Sequence, residues 1–369
     1  MMMSGHAHAP KRIRVGMLAP PWLAVPPDSY GGSELIIDVL SRGLQNLGHE
    51  VLLFTVGEST CAVPKESLFP VGDPDRMGAA VLELRHVAAA YDAFQECDIV
   101  HDHTLVGLFL SQLQCSVPVV TTNHGPFNDD LIDLYRRARQ IPVIAISRDQ
   151  ASRAPSDIPI GAVIHHGLDL DRYRFNQRGG NYLVALGRMN PTKGVETAID
   201  VARRSGRDLF IAAKMREPGE KRYFEEVIRP KLGGGVEYVG EVTHAEKVEL
   251  LGGARALINP LQWPEPFGLV MIESLACGTP VIATPQGAAP EIVLNSETGY
   301  LAANIDQIAA RVDDVGRLDR SMCRRSVEDS FSMEQMARAH ADFYRSVLRN
   351  GTTAVDDDSI RRPGMASVA

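Results

Sequence analysis

The sequence predicts a doubly wound α/β fold in two units, and three observations carry that expectation. Short apolar, β-branched runs of about four to seven residues recur without polar alternation, as strands buried on both faces do. Longer stretches with helical spacing separate them, which sets neighbouring strands parallel. After a short, charged, glycine-bearing stretch, RYRFNQRGGN at 172–181, the same phrase restarts, as at a domain boundary.

The first unit, 11–172, carries the expected strands Ile13–Ala19, Val51–Val56, Asp98–His101, Pro118–Thr121, Val143–Ile146 and Ala162–Ile164. Its clearest helix is Leu35–Leu47: Leu35, Ile36, Val39, Leu40, Leu44 and Leu47 form one stripe, and Gly48 ends it. The second unit, 180–330, reads as strand Tyr182–Leu186, helix Val195–Arg203, strands Leu209–Ala213 and Val236–Tyr238, helix Ala245–Leu251 and strand Ala256–Asn259. Helix Leu269–Ala276, strand Pro280–Ala283 and short strand Gly299–Leu301 follow, and the remainder to Leu348 is helical. Residues 1–10 and 351–369 are polar and aperiodic, so frayed ends are expected. Two such units facing each other leave a cleft at the carboxyl ends of their strands, where ligands of open parallel sheets bind.

Composition narrows the function classes. At 369 residues and 44% hydrophobic, the chain can bury a large core. Its 38 basic and 46 acidic residues give a net charge of -8, without the basic footprint of a nucleic-acid binder. Cys61, Cys97, Cys115, Cys277 and Cys323 form no CxxC pair, which fits reduced thiols better than a disulfide framework or zinc site. No apolar run reaches the roughly 18 residues of a membrane span, and no signal-like apolar region follows the N-terminus. A soluble, cytoplasmic protein is expected.

Several motifs fail. The first strand runs into Ala19-Pro20-Pro21 instead of GxGxxG, which removes a nicotinamide reading. Gly187–Gly194 (GRMNPTKG) is no Walker A, because Thr192 and Gly194 replace its second glycine and its magnesium-holding hydroxyl. There is no GxSxG, HExxH or EF-hand loop.

What remains is a set of phosphate and sugar handles after strands. Gly31 and Gly32 precede the first helix, whose N-terminal N–H groups could take a phosphate; a plain turn is the competing reading. Arg188 ends a strand and Lys193 enters the next helix, two lasting cations suited to a diphosphate; a pair of surface charges is the competing reading. In EPFGLVMIE (265–273), Pro264 and Pro266 hold Glu265 out of helical geometry, while Glu273 lies a turn deeper in an apolar helix. Glu273 suits ribose hydroxyls and Glu265 a hexose. His101 and His103 end one strand and His124 the next, delivering histidines to one cleft edge. A metal site there would lack a carboxylate or thiolate at ligand spacing except Asp102. His103 is read as structural or substrate-facing, and His124 as ligand-facing. Arg136, Arg137 and Arg139 form a basic helix face, either solvated or a seat for an anionic acceptor or lipid headgroup. His244 and Glu246 look like capping chemistry with Thr243.

Glu265–Glu273, followed by SLACGTPVIAT (274–284) and GAAPEIV (287–293), resembles the nucleotide-sugar signature of glycosyltransferase family 4. YGGSE (30–34), LGHEV (47–51), NHG (123–125), LGRMNPTKG (186–194) and VGEV (239–242) come in that family's order. The resemblance implies the GT-B fold, two Rossmann-like domains across a deep cleft, with helix 331–350 crossing back to the first. It also implies transfer of a hexosyl group from a UDP- or GDP-linked sugar to an acceptor hydroxyl, with retention and without metal or other cofactor. By the same resemblance Gly31 and Gly32 contact donor phosphates or the reacting sugar. Arg188 and Lys193 hold the diphosphate, Glu265 the sugar 3- and 4-hydroxyls, and Glu273 the ribose. Phe267, Gly268 and Leu269 supply backbone around sugar and phosphate, and His124 orients sugar and acceptor. The chain departs from the pattern at His165-His166-Gly167, where many relatives carry Asn before the glycine, and at 19–27 (APPWLAVPP), which would reshape the acceptor entrance. A nucleotide-sugar epimerase, a sugar phosphorylase and a non-catalytic sugar-nucleotide binder are the competing readings.

Overall fold

The structure, a computed structural model, describes residues 12–28, 31–114 and 116–350. Both chain ends expected to fray, Tyr30 of YGGSE and Cys115 lie outside the described residues. Two all-parallel sheets organise the chain. The first holds β1 (Arg14–Leu18), β2 (Glu50–Thr55), β3 (Lys65–Ser67), β4 (Ile99–Asp102), β5 (Val119–Asn123), β6 (Val143–Ala145) and β7 (Ile160–Val163), in the order β3-β2-β1-β4-β5-β6-β7. The second holds β8 (Leu183–Arg188), β9 (Leu209–Lys214), β10 (Val236–Gly240), β11 (Ala256–Asn259), β12 (Val281–Ala283) and β13 (Gly299–Leu301), in the order β10-β9-β8-β11-β12-β13.

The expected strands are all present, with ends shifted by at most two residues. They form because their residues are buried on both faces: every residue of β4, β5 and β11 is buried. The sequence pattern misses β3, an edge strand of Lys-Glu-Ser with all three residues exposed, since no apolar signal marks it. The first helix is Gly32–Asn46, three residues earlier than expected. Leu35 N–H already bonds Gly31 C=O, so the glycines are part of the helix start and not of the turn before it.

The helix Met333–Asn350 packs on the first helix, and Ala337, Ala341, Tyr344 and Val347 share one core with Ile36, Leu40 and Leu44. A Cβ on Gly43 would lie 2.9 Å from Ala337 Cβ, so this glycine sets how closely the two helices approach. The chain passes between the sheets where Leu168 N–H bonds Phe331 C=O and Met333 N–H bonds Leu168 C=O, both at 2.8 Å. A second tie lies at Glu291, whose carboxylate accepts from the backbone N–H groups of Arg148 and Asp149 and contacts His165 Nε2 at 2.8 Å. These links hold the carboxyl ends of the two sheets against each other.

Candidate active site

Between those sheet ends lies a cavity of about 1080 Å³ lined from both halves. Strand order reverses between β1 and β4 in one sheet and between β8 and β11 in the other, the places where parallel sheets open a crevice. The loops after β1, β5, β8 and β11 bring Gly31, Gly32, His124, Arg188, Lys193, Glu265, Phe267, Gly268, Leu269 and Glu273 to its wall.

Arg188 closes β8, and its Nε is buried with no hydrogen-bond partner among the described residues. Lys193 ends a single turn, Pro191–Lys193, that is pinned by Asn190 Oδ1 accepting from Thr192 N–H at 2.9 Å. Its Nζ donates to Glu265 Oε2 at 2.5 Å, and each of these side chains is 15% exposed. The ammonium also sits 5.7 Å from the Trp263 ring centroid. The diphosphate cation and the sugar carboxylate expected from the sequence are therefore paired with each other.

The Glu265 loop is held by its main chain, with Ala288 N–H donating to Glu265 C=O at 3.0 Å. Gly287 makes that approach possible: at φ +57°, a Cβ there would sit 2.2 Å from Glu265 O. Gly268, at φ +92°, turns the chain into the helix Leu269–Ala276, whose first turn has no side-chain cap. The Phe267 ring is 2% exposed and packs on His166 and Phe331, with centroids at 5.1 and 6.0 Å. A Cβ on Gly32 would lie 3.5 Å from Leu269 Cδ1, so the two helix N-termini meet across the cleft. Glu273, buried at 3% exposure, accepts from Tyr173 Oη at 2.9 Å and from Lys247 Nζ. Burial, reinforced by this carboxylate, pushes the Tyr173 phenol well above its ordinary value.

On the opposite wall, the expectation that both histidine-bearing strands reach the cleft edge needs correcting. Of His101, His103 and His124, only His124 lines the cavity. His103 lies behind it, buried, with Nδ1 2.8 Å from His124 Nε2 and Nε2 3.2 Å from Met17 Sδ. His101 is wholly buried against Thr122 Oγ1 and Tyr344 Oη at 2.8 and 2.7 Å. The cause is position: β4 lies centrally in its sheet, and the helix Met333–Asn350 covers its end with His340 and Tyr344. Burial pushes His124 down to about 4 and holds His101, His103 and His166 well below the usual histidine range. The Arg136, Arg137 and Arg139 face does not line the cleft; Arg136 pairs with Asp157 and Arg137 with Asp133 at the surface.

Three cleft residues, Lys247, His166 and Glu34, and Tyr173 behind Glu273 carried no sequence signal strong enough to assign them. Lys247 follows the Thr243–Glu246 capping box by one position, Tyr173 sits in the linker, and His166 stacks 5.4 Å from His124. Glu34, in the first turn of the first helix, is buried, and burial raises its carboxyl. Among the described residues no group of three or more His, Cys, Asp or Glu side chains is arranged to hold a metal ion, and no helix is long and apolar enough to cross a membrane.

Two parallel Rossmann-like sheets opposed across a cleft, with helix N-termini, paired cations and two carboxylates at their strand ends, define a GT-B glycosyltransferase. The family models agree: residues 30–172 match "Glycosyltransferase Family 4" and residues 171–329 match "Glycosyl transferases group 1". Over 241 residues the chain is 30% identical to the lipopolysaccharide core biosynthesis mannosyltransferase LpsB of Rhizobium meliloti, covering 57% of this chain and 67% of that one. It is 30% identical over 204 residues to the glycogen synthase of Mycobacterium tuberculosis, covering 51% of this chain and 49% of the relative, so the match spans about half of that protein's length. Among solved structures it is similar to AviGT4, a glycosyltransferase involved in avilamycin A biosynthesis, at TM-score 0.72 and 25% identity over 92% of this chain and 99% of that one. Anabaena HepE in complex with UDP-glucose shares the fold at TM-score 0.69 and 17% identity, over 91% of this chain and all of the other. The chain belongs to the glycosyltransferase family 4 group.

Proposed function

We propose that this protein is a retaining hexosyltransferase that moves a hexosyl group from a UDP- or GDP-linked sugar to an acceptor hydroxyl, without a metal. The observation that carries the reading is the charged wall of Arg188, Lys193, Glu265 and Glu273 facing the Gly31–Gly32 helix start across the cleft. Bound donor would part the Lys193–Glu265 pair, taking the ammonium to the diphosphate and leaving the carboxylate for the sugar hydroxyls. Arg188, with its unpartnered Nε, and the free N–H groups after Gly268 would complete the diphosphate seat. Each well-placed donor in such an anion site is worth about 3–4 kcal/mol. Glu273, braced by Tyr173, would take the ribose.

In the reaction, the bond from the anomeric carbon to the diphosphate oxygen breaks and a bond to the acceptor oxygen forms on the same face. The departing diphosphate oxygen takes the acceptor's proton, so no side chain serves as nucleophile. Glu265 fixes the ring and favours positive character at the anomeric carbon, and His124 orients sugar and acceptor. Work in the cytoplasm is part of this reading, supported by the buried free thiols of Cys61, Cys277 and Cys323.

The test is a panel of nucleotide sugars with the full chain. A true donor at about 100 times its dissociation constant adds roughly 2.7 kcal/mol of stability. With that donor and a set of hydroxyl acceptors, proton NMR should show a product keeping the donor's anomeric configuration, unchanged by a chelator. An inverted product would overturn retention. Donor isomerised without acceptor, or turnover that requires inorganic phosphate, would overturn transfer itself.

A further inference from the structure

Five buried or half-buried histidines run in file from the last helix to the cleft: His340, His101, His103, His124 and His166, with successive ring centroids 5.5, 4.1, 5.1 and 5.4 Å apart. None pairs with a carboxylate among the described residues, and burial keeps them neutral at pH 7. A neutral imidazole has one N–H and one bare nitrogen, and the partner of one nitrogen decides the state of the other.

A thioether meets the middle ring of this file. His103 Nε2 lies 3.2 Å from Met17 Sδ. A thioether sulfur has no hydrogen to give and only accepts, so a bare Nε2 there would set lone pair against lone pair. His103 therefore carries its proton on Nε2 and leaves Nδ1 bare. That Nδ1 is 2.8 Å from His124 Nε2, which must then be the protonated nitrogen of His124. The remaining nitrogen, His124 Nδ1, has no protein partner among the described residues, and His124 is half-exposed on the cleft wall.

From this geometry we propose that Met17 and His103 are positioning residues that lock His124 in the tautomer presenting a bare Nδ1 to the cleft, so that it accepts a hydrogen bond from a sugar hydroxyl. The assignment rests on the glycosyl-transfer reading for its consequence, but not for its geometry. A sugar hydroxyl held this way has its hydrogen on the histidine and its oxygen lone pairs free, and the acceptor's own hydrogen stays free for the departing diphosphate oxygen. The opposite tautomer would donate to that oxygen and tie up a lone pair.

The test reads the tautomer directly. In a long-range proton–nitrogen correlation spectrum of the nitrogen-15-labelled full chain, with His124 assigned by its loss in His124→Gln, the expected pattern is a protonated Nε2 and a bare Nδ1. Met17→Leu keeps the side chain apolar and of similar size but removes the sulfur acceptor. It should convert His124 to a mixture of tautomers and lower transfer kcat/KM about 10-fold, with donor KM changed less than about twofold. His103→Phe should give the larger loss. His103→Gln, whose amide oxygen can accept from His124 Nε2–H, should recover most of it. A protonated Nδ1 on His124 in the parent, or an unchanged spectrum in Met17→Leu, would overturn the proposal. The spectrum is recorded without substrate, so failure of the parent to use any nucleotide sugar would count against the transfer reading and leave the tautomer to be judged separately.

Discussion

Along the wall built from β8 and β11 the polar side chains are charged, with Lys193 paired to Glu265 and Lys247 to Glu273, whereas the wall built from β1 and β5 presents glycine backbone, neutral histidine and the buried Glu34, whose carboxyl burial raises. On the proposed reading the first wall presents charge to a diphosphate. The second would present hydrogen-bond direction to hydroxyls, and burial keeps its histidines from gaining charge. Under the proposed transfer a diphosphate and the hydroxyls beside it need opposite treatment, and the cleft would divide the two tasks between the sheets.

Neutralising the charged wall should have the largest effect. Lys193→Ala and Glu265→Ala each remove one partner of a largely buried pair, and transfer should fall about 100- to 1000-fold with the fold retained by circular dichroism. Near-parent turnover in both variants would erase the contrast between the walls.

Acid should act next, on the buried histidines of the neutral wall and of the core behind it. His86, His124 and His340 are held at about 4, and His101, His103 and His166 lower than the usual 6.5, all chiefly by burial. Between about pH 6.5 and 4 the unfolded chain binds protons that the folded chain refuses. Their contribution is thus fully present above pH 6.5 and lost as pH falls towards 4, at up to about 1.4 kcal/mol per pH unit for each group inside its window. Urea unfolding midpoints should decline steadily over that range. A flat profile would mean that these rings already carry charge in the folded state.

The smallest effect belongs to the brace behind Glu273. Tyr173→Phe removes one hydrogen bond to the carboxylate but leaves Lys247, so nucleoside diphosphate affinity should drop only about threefold to tenfold by calorimetry.

The two walls were also unequally legible. EPFGLVMIE could be read because prolines, a positive-φ glycine and an apolar helix leave few options for where Glu265 and Glu273 go, and the helix Leu269–Ala276 has the bounds expected of it. Likewise the Thr243–Glu246 capping box formed as expected. Lys247 and Tyr173 were missed because their roles come from the linker folding back on the helix His244–Gly253, a contact between distant segments that no local spacing records. His103 was misplaced for a similar reason. Sequence alternation puts it at a strand end, but only the packing of Met17, His124 and the C-terminal helix decides whether that end is open or covered. The exposed strand β3 was unreadable because Lys-Glu-Ser carries no burial pattern.

The most direct measurement is calorimetric titration of the full chain and of Lys193→Ala with UDP and GDP. One of the two nucleotides should bind the parent at one site per chain, and Lys193→Ala should bind it at least tenfold more weakly. If neither nucleotide binds the parent, or if Lys193→Ala binds as tightly as the parent, the β8–β11 wall is not a diphosphate seat and the proposed transfer fails with it.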